Sequence, residues 1–277
     1  MNPPGDAELL ITARAALLDA LEALAEQREA LVLIGAQAIY LQTGAAPVAL
    51  AETTKDSDLA VDPRMLSDSP LLDMAMKQAG FHLDIEHPQP GGWLSPDDTQ
   101  VDLMVPKALA GKSGRRGARI PPHSRHATRR TAGLEAAVVD HAPKTISALD
   151  PDDSRGVEIK VAGPAALLVA KLHKLGERQD QPDRLIDKDA HDIYRLLVAT
   201  DTQQLATTLR KLQADELAGD ATTQAIAYLE ALFAPGPNAL GSMMAGRAEQ
   251  LVGDPEVASA AVAALATDLL SALETMA

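Results

Sequence analysis

The chain of 277 residues contains no cysteine, and aromatic residues make up only 2% of it. The first absence excludes disulfides and thiolate metal sites, and it leaves the redox compartment undecided. The second means that the core must be built mainly from Ala, Leu, Val and Ile. The N-terminus also lacks a basic region ahead of an apolar run, so we expect no secretory signal.

Long apolar runs are missing as well. No stretch approaches the roughly 20 apolar residues that cross a bilayer, so we expect no membrane association and a cytoplasmic location. Hydrophobic residues make up 46% of the chain and charged residues 23%, which is typical of a globular protein. The length allows a sizeable core and fits two domains, or one domain with an appended bundle.

One internal segment lacks acidic residues, although the net charge of the chain is −14. Such a net charge argues against nucleic-acid binding, but the distribution of charge is uneven. The segment holds eight of the 25 basic residues: Lys107, Lys112, Arg115, Arg116, Arg119, Arg125, Arg129 and Arg130. This basic segment, residues 107–130, is rich in Gly and Pro and could attract a polyanion from a loop. The alternative is a solvated loop, and no aromatic residues interleave to stack bases.

Hydrophobic periodicity changes along the chain from an α/β pattern to a helical one. Strands are predicted over 31–34, 53–62, 100–105 and 157–161. Helices are predicted over 6–28, 36–42 and 67–80, and from 163 to the C-terminus. We therefore expect an α/β domain over residues 1–160, followed by an all-α helical domain over residues 161–277.

The strand around residue 58 carries two carboxylates. Because alternate residues share a face, Asp56 and Asp58 point one way, whereas Ser57, Leu59 and Val61 point the other. Two carboxylates on one face need water, a basic partner or a metal, and Mg²⁺ prefers such oxygen ligands. The Asp-x-Asp triplet alone is common in acidic proteins, so its neighbours decide its meaning.

Those neighbours suggest phosphate chemistry. Gly35 ends an apolar strand, lets the backbone approach a ligand, and precedes a helix whose free N–H groups would face phosphate. Asp102, on another strand, would be a third carboxylate, and three converging acids suit a two-metal phosphoryl transfer. Two other interpretations stay open: Gly35 as an ordinary turn, and Asp102 as an exposed strand residue.

Two predicted helices of the second half place charges beside apolar stripes. Lys171 flanks the stripe of the first helix, and Lys174 lies farther towards solvent; the stripe contains Leu168, Leu172 and Leu175. Asp189 falls within the stripe of the second helix and Asp192 beside it; that stripe contains Ile186, Ile193, Leu196 and Leu197. A carboxylate on an apolar face needs a cation, and Lys171 is the expected partner. A purely structural ion pair is the alternative.

These motifs resemble those of the nucleotidyltransferase superfamily, which has the DNA polymerase β-like fold. The first two are Gly35–Ala38 and Thr54–Leu59, although Ala36 stands where Gly or Ser is usual, so no hydroxyl is available there for phosphate. The stretches Ala170–Leu175 with Arg178, and Lys188–Tyr194, resemble the third and fourth motifs of the AbiEii/MenT group. That group contains the toxins of type IV toxin–antitoxin systems. The matches span residues 31–197.

The resemblance implies a palm-like mixed sheet and Mg²⁺-dependent transfer of NMP from an NTP to an RNA acceptor, such as the tRNA 3′ end. A cognate antitoxin would be a further partner. Its implied catalytic residues are Asp56, Asp58, Asp102, Lys171, Asp189 and Asp192. Asp56, Asp58 and Asp102 would hold the metal, and Gly35, Ala36, Lys55 and Lys171 the nucleotide. RNA would contact Arg115, Arg116, Arg119, Arg125, Arg129 and Arg130.

Two other functions fit the same motifs. One keeps the transfer chemistry but uses the hydroxyl of a small molecule, such as an aminoglycoside, or of a protein. The other is a catalytically silent member that binds NTP or a partner, and the missing hydroxyl at Ala36 is compatible with it.

Overall fold

The computed structural model describes residues 6–44, 48, 56–84, 89–112, 116–250 and 252–275. These residues divide into two compact units. The first comprises the described parts of Met1–Ala38, Thr53–Thr131 and His141–Ala162. The second comprises the described parts of Ile39–Glu52, Ala132–Asp140 and Gly163–Ala277. Lys55 and Arg115, both predicted site residues, lie outside the described residues.

The first unit is built on one mixed eight-stranded sheet. Its strands are β1 (Leu31–Ile34), β2 (Asp56–Val61), β3 (His82–Leu83), β4 (Gly92–Leu94), β5 (Gln100–Pro106), β6 (Arg129–Thr131), β7 (His141–Ser147) and β8 (Gly156–Ala162). Their order is β3-β4-β5-β2-β1-β8-β7, and β6 pairs with β5. β1 is antiparallel to β2 and parallel to β8, whereas β2 and β5 are parallel.

Helices complete this unit: α1 (Asp6–Ala23), the start of α2 (Gly35–Thr43), and α3 (Leu72–Gln78). α1 buries Ala13, Leu17 and Leu21 and contacts β2, β5 and β8. β1 is buried along its whole length, as a central strand covered on both faces should be. The core of the unit therefore lies between α1 and the middle of the sheet.

Two helices of the first unit are shorter than the sequence predicts. The predicted helix 6–28 ends at Ala23, and a 3₁₀ turn over Ala25–Ala30 follows it. The predicted helix 67–80 begins only at Leu72. A residue that precedes proline disfavours helical torsions, so Pro70 keeps Ser69 out of the helix, and Leu71 is extended.

The second unit is helical. It contains α4 (Pro164–Gly176), α5 (Asp187–Ala199), α6 (Thr202–Gln213), α7 (Gly219–Leu232), α8 (Leu240–Ala248) and α9 (Pro255–Thr275). α4 packs on α5 and α7, and α8 packs on α5 and α9. Buried Leu168, Leu196, Leu229 and Phe233 contribute to this core. The predicted change from α/β to all-α structure is thus confirmed, and with it the predicted fold class of a mixed sheet followed by helices.

The division between the units is less simple than one boundary at residue 160. It falls at Ala162/Gly163, but the described residues of 39–52, and residues 132–140, also cluster with the helices. Arg195 on α5 explains the first segment, since its Nη2 donates to the carbonyl and hydroxyl oxygens of Thr43, at the end of α2, over 3.3 and 3.2 Å. Asp140 explains the second, because its carboxylate accepts from the Ala166 N–H in the first turn of α4 (3.2 Å).

The expectation that no segment could cross a membrane is wrong for α9. It is 21 residues long, and an 18-residue window of it has a mean hydropathy of 1.5, which is enough to cross a membrane by length and composition alone. The core helix of a helical bundle meets the same criterion, and α9 buries Val262, Ala266, Leu269 and Leu273 while it contacts α6 and α8. The α/β unit and the bundle are typical of a water-soluble protein, and a cytoplasmic location remains a prediction.

Candidate functional site

One face of the sheet in the first unit is acidic. In the parallel pairing of β2 and β5, Asp58 is the partner of Asp102, and Asp56 is the partner of Gln100. These four side chains therefore share a face, which we call the acid face. Asp56 and Asp58 are half-buried and Asp102 is buried. Ser57 points to the opposite face, where its hydroxyl donates to the carbonyl of Ala13 on α1 (2.9 Å). The predicted alternation along β2 is confirmed.

Gly35 begins α2 directly beside Asp58. Its φ of +68° lies in the left-handed region, which side chains disfavour. Ile34, the preceding residue, is the β1 partner of Asp58, and a Cβ at position 35 would overlap the Asp58 carboxylate. The sequence thus needs glycine here for both torsion and space, and the amino end of α2 lies against the acid face.

Replacing Gly35 by Ala should therefore destabilise the first unit and displace Asp58. The left-handed torsion alone costs about 1–2 kcal/mol with a Cβ present, and the overlap adds to that cost. We expect the midpoint of urea unfolding, followed by the fluorescence of Trp93 in this unit, to fall. Gly92→Ala, whose Cβ would lie 3.5 Å from its nearest neighbour, is the control. An unchanged midpoint for Gly35→Ala would contradict this geometry.

A buried polar network fixes α2 to β2. The sequence motifs did not predict it. Gln37, in the first turn of α2, donates to the Ser57 hydroxyl (2.5 Å) and accepts from the Nε of Arg14 (2.7 Å). Arg14 also donates to the carbonyl of Ser147 (2.7 Å). Burial lowers the pKa of Arg14. Because Ser57 lies between Asp56 and Asp58 in sequence, this network positions the acidic strand against the helix.

Asp102 contacts an arginine of the basic segment. Its Oδ2 accepts from Nη2 of Arg129 (2.6 Å), and its Oδ1 accepts from the amide of Gln100 (2.9 Å). Nη1 of Arg129 in turn donates to the side-chain oxygen of Gln89 (2.9 Å). The predicted metal ligand Asp102 is thus engaged at both carboxylate oxygens, and its partner Arg129 is one of the predicted RNA contacts.

The donor set of the acid face fits Mg²⁺ through two carboxylates. Among the described residues, no group of three His, Asp or Glu side chains converges as a metal site would require. The predicted three-acid cluster is therefore not formed as one ligand set. Asp56 and Asp58 remain, and Mg²⁺ is commonly held by one or two carboxylates together with substrate phosphates and water.

A second charged cluster lies within the helical unit, between α4 and α5. Nζ of Lys171 lies 2.7 Å from Oδ1 of Asp189 and 2.7 Å from Oδ2 of Asp192. Both contacts are ion pairs between almost fully buried groups. Lys174 also contacts Asp189, over 2.9 Å. The predicted pairing of Lys171 with a carboxylate of the next helix is confirmed, whereas a role in nucleotide binding or catalysis stays a prediction.

Charge balance keeps this cluster ionised. Burial lowers the pKa of Lys171, but Asp189 and Asp192 outweigh it, so the pKa lies above its ordinary value. Burial raises the pKa of Asp189, but Lys171 and Lys174 outweigh it, so that pKa lies below its ordinary value. Two cations and two carboxylates neutralise one another inside the bundle. The Lys171 side chain is 10% exposed and that of Lys174 40%, as the helical periodicity predicts.

One member of the predicted stripes is misplaced. Ile186 is 48% exposed because it lies just before the first residue of α5 and is extended.

Ala36, predicted to contact nucleotide, is buried in the first turn of α2. The acid face belongs to the first unit and the Lys171 cluster to the second. That residues of both clusters serve one active site stays a prediction.

The described part of the basic segment is mainly loop, as predicted, but it begins with a 3₁₀ turn over Lys107–Leu109, and its last two residues belong to β6. Gly117 forms a bridge with Arg129, and the N–H of Arg130 donates to the carbonyl of Arg116 (2.8 Å). Its exposed cations in the described residues include Lys107, Lys112, Arg116, Arg119 and Arg125. Arg129 and Arg130, by contrast, are half-buried in β6. The segment therefore offers a positive surface from which Arg129 is turned inward to Asp102.

No protein-family model matches the chain, and no curated protein is significantly similar to it. One solved structure is matched over 98% of both chains, at 13% identity and a TM-score of 0.31. It is described as the crystal structure of a "putative nucleotidyltransferase from H. pylori". A TM-score of this size supports no conclusion about fold or activity, so the function has to be argued from the residues.

Proposed function

We propose that this chain is a Mg²⁺-dependent nucleotidyltransferase that transfers NMP from an NTP to an RNA hydroxyl. The observation that carries this proposal is the Gly35 turn, which brings the amino end of α2 against the carboxylate of Asp58. Backbone N–H groups at a helix start bind phosphate, and neighbouring carboxylates hold the cation that accompanies a triphosphate. The resemblance of Gly35–Ala38 and Asp56–Leu59 to nucleotidyltransferase motifs supports the same function.

In the proposed reaction, Asp56 and Asp58 would hold Mg²⁺, which neutralises phosphate charge and lowers the pKa of the attacking hydroxyl. The N–H groups of the first turn of α2 would donate to phosphate oxygens. The RNA hydroxyl oxygen would attack the α-phosphorus in line and release its proton to solvent water; a new P–O bond forms, and the bond to pyrophosphate, the leaving group, breaks. Ala36 has no hydroxyl, so its contact with phosphate would use the backbone alone. The step as proposed uses no contact from Lys171, whose charge two carboxylates balance, and its predicted role in nucleotide binding stays a prediction.

RNA is the favoured acceptor because of the basic segment. Its exposed lysines and arginines would contact backbone phosphates, which gives binding that weakens as salt rises. The resemblance to the AbiEii/MenT group favours the 3′ end of tRNA and a toxin role. A small cationic acceptor would be repelled by the positively charged loop rather than attracted to it.

The test is incorporation of labelled NTP into total tRNA in the presence of Mg²⁺. We expect incorporation by the wild type and a loss of roughly 10²-fold or more with Asp56→Asn, since an electrostatic contact to the reacting phosphates is removed. Asp98→Asn is the matched control: Asp98 is exposed, and its φ of +58° suits asparagine.

Equal incorporation by the wild type and Asp56→Asn would contradict the proposal. Incorporation into an aminoglycoside or a protein, but not into tRNA, would contradict the RNA acceptor. NTP affinity in calorimetry without turnover on any acceptor would identify a catalytically silent binding protein instead.

A further inference from the structure

The contacts of Asp102 leave it poorly placed to bind a metal. Arg129 occupies one of its carboxylate oxygens over 2.6 Å, and Gln100 occupies the other over 2.9 Å. The side chain of Asp102 is 7% exposed and that of Arg129 is 21% exposed. Each oxygen keeps a second lone pair, but a metal ion bound there would lie beside the Arg129 guanidinium, which holds Asp102 through a charge-assisted hydrogen bond and would repel the ion. Such bonds are about twice as strong as neutral ones.

Arg129 is held on the acid face from three sides. β6 pairs with β5 in parallel, with Arg129 as the partner of Met104, so the arginine shares the face of Asp102 and Asp58. Its Nη1 donates to Gln89, and its Nη2 donates to Asp102 and lies 3.2 Å from the sulfur of Met104. A guanidinium has five N–H donors in a rigid fork, and these contacts use three of them. The guanidinium is therefore held in place by these three contacts, which leave its two other N–H donors for a ligand.

Gly92 lies beside this arrangement. Gly92 on β4 is the partner of Asp102, and a Cβ there would lie 3.5 Å from both the Asp102 carboxylate and the side chain of Gln89. A Cβ at that distance would make only ordinary van der Waals contact, so the bonds from Arg129 to Asp102 and Gln89 do not depend on glycine at this position. The structure therefore holds one guanidinium in a fixed position on the acid face.

We propose that Arg129 is the phosphate-binding cation of the acid face, and that Asp102 is a positioning residue that holds Arg129 rather than a metal ligand. This inference rests on the proposed function, and the ligand is the triphosphate of the incoming nucleotide. A planar, permanently charged fork suits phosphate, and an arginine aimed at a triphosphate supplies charge that a second metal ion supplies in a three-carboxylate site. The acid face then needs one Mg²⁺, on Asp56 and Asp58.

Two binding measurements test this assignment without any transfer reaction. The first is Mn²⁺ binding followed by electron paramagnetic resonance, with Mn²⁺ as the probe for Mg²⁺. We expect Asp102→Asn to bind Mn²⁺ within about threefold of the wild type, because Arg129 and Gln100 already engage both oxygens of Asp102. We expect Asp58→Asn to lose at least tenfold, because it removes one of the two proposed ligands.

The second measurement is calorimetry with inorganic tripolyphosphate. We expect Arg129→Gln to weaken binding about tenfold or more, because a charge-assisted contact is lost. Asp102→Asn, which keeps the shape of the side chain but not its charge, should weaken binding severalfold. Asp102→Asn/Arg129→Gln should bind no more weakly than Arg129→Gln alone, since Asp102 acts through Arg129. Arg64→Gln is the control and should bind like the wild type, because Arg64 is an arginine of the same unit that also pairs with an aspartate, Asp62, but lies outside the acid face and the basic segment.

Unaltered emission of Trp93, which is buried in this unit and donates to the carbonyl of Ala127 (3.0 Å), would show that each variant is folded. The double variant also removes both members of the ion pair together, so that no charge is left buried alone. Loss of Mn²⁺ binding by Asp102→Asn with unchanged tripolyphosphate affinity would make Asp102 a metal ligand and overturn the proposal. Wild-type tripolyphosphate affinity in Arg129→Gln would overturn it as well. A failure of the Asp56→Asn incorporation test is distinguishable, because it leaves both binding measurements intact.

Discussion

Replacing Lys171 by methionine should lower the free energy of unfolding of the helical unit by about 3–5 kcal/mol, the usual cost of removing one partner of a buried ion pair. Methionine keeps most of the aliphatic volume, so the loss comes mainly from charge. Asp189 would retain Lys174 at 2.9 Å, but Asp192 would lose its 2.7 Å contact with the ammonium group. An uncompensated carboxylate, almost fully buried, would then remain between α4 and α5.

Lys174→Met is the matched control, because this lysine lies on the same helix and contacts the same Asp189 but is 40% exposed. Exposed pairs contribute little, so we expect a loss below about 1 kcal/mol. All three tyrosines (Tyr40, Tyr194 and Tyr228) belong to the helical unit, and near-ultraviolet circular dichroism in urea would report its unfolding. Equal losses for the two variants would show that Lys171 is not the cation on which the cluster depends.

Acid should reduce the difference between the wild type and Lys171→Met. The pKa of Asp189 is lowered in the folded protein from an ordinary value of 3.8, so its stabilising contribution is present above that value and disappears as the pH falls through the folded pKa. The pKa of Lys171 is raised from 10.5, so its contribution persists below that value and is lost only at higher pH. Near neutral pH the loss should therefore be largest, and it should shrink below about pH 4.

Local periodicity predicted the features that depend on near neighbours in the chain. Alternation along β2 placed Asp56 and Asp58 on one face, and the stripes of α4 and α5 predicted the Lys171–Asp189 pair. In both cases the sequence spacing alone determines which side of the element a residue occupies. The exception, Ile186, lies at the very start of α5, where the helical period does not yet apply.

Long-range pairing could not be predicted in this way. Asp102 and Arg129 are 27 residues apart, and their contact depends on the register between β5 and β6. A strand of three residues has no periodic signal strong enough to identify it, and the basic segment was predicted as a loop. The described residues of 39–52, and residues 132–140, likewise join the helical unit through Arg195 and Asp140, whose bonds to backbone groups leave no pattern in the sequence.

The register of β6 depends on one glycine, and Gly91→Ala should lower the stability of the sheet unit by about 3 kcal/mol or more. Gly91 has a φ of +78°, which costs about 1–2 kcal/mol once a Cβ is present. That Cβ would also overlap the carbonyl oxygen of Leu103 on β5 and lie 2.5 Å from the backbone nitrogen of Arg129 on β6. Both neighbours are backbone atoms, and Gly91 itself exchanges backbone hydrogen bonds with Leu103 and His126, each worth about 1 kcal/mol. Relief of the overlap therefore has to break pairing rather than rotate a side chain.

Gly156→Ala is the matched control for this substitution, since Gly156 is an exposed strand residue whose Cβ would lie 3.6 Å from its nearest neighbour. Alanine is favoured over glycine within a strand by roughly 0.5–1 kcal/mol, so this variant should be at least as stable as the wild type. The fluorescence of Trp93, two residues from Gly91, reports urea unfolding of the sheet unit in both variants. If Gly91→Ala unfolds at the wild-type midpoint, Gly91 does not pack against β5 and β6 as closely as the structure shows. The position of Arg129 beside Asp102 would then be contradicted as well.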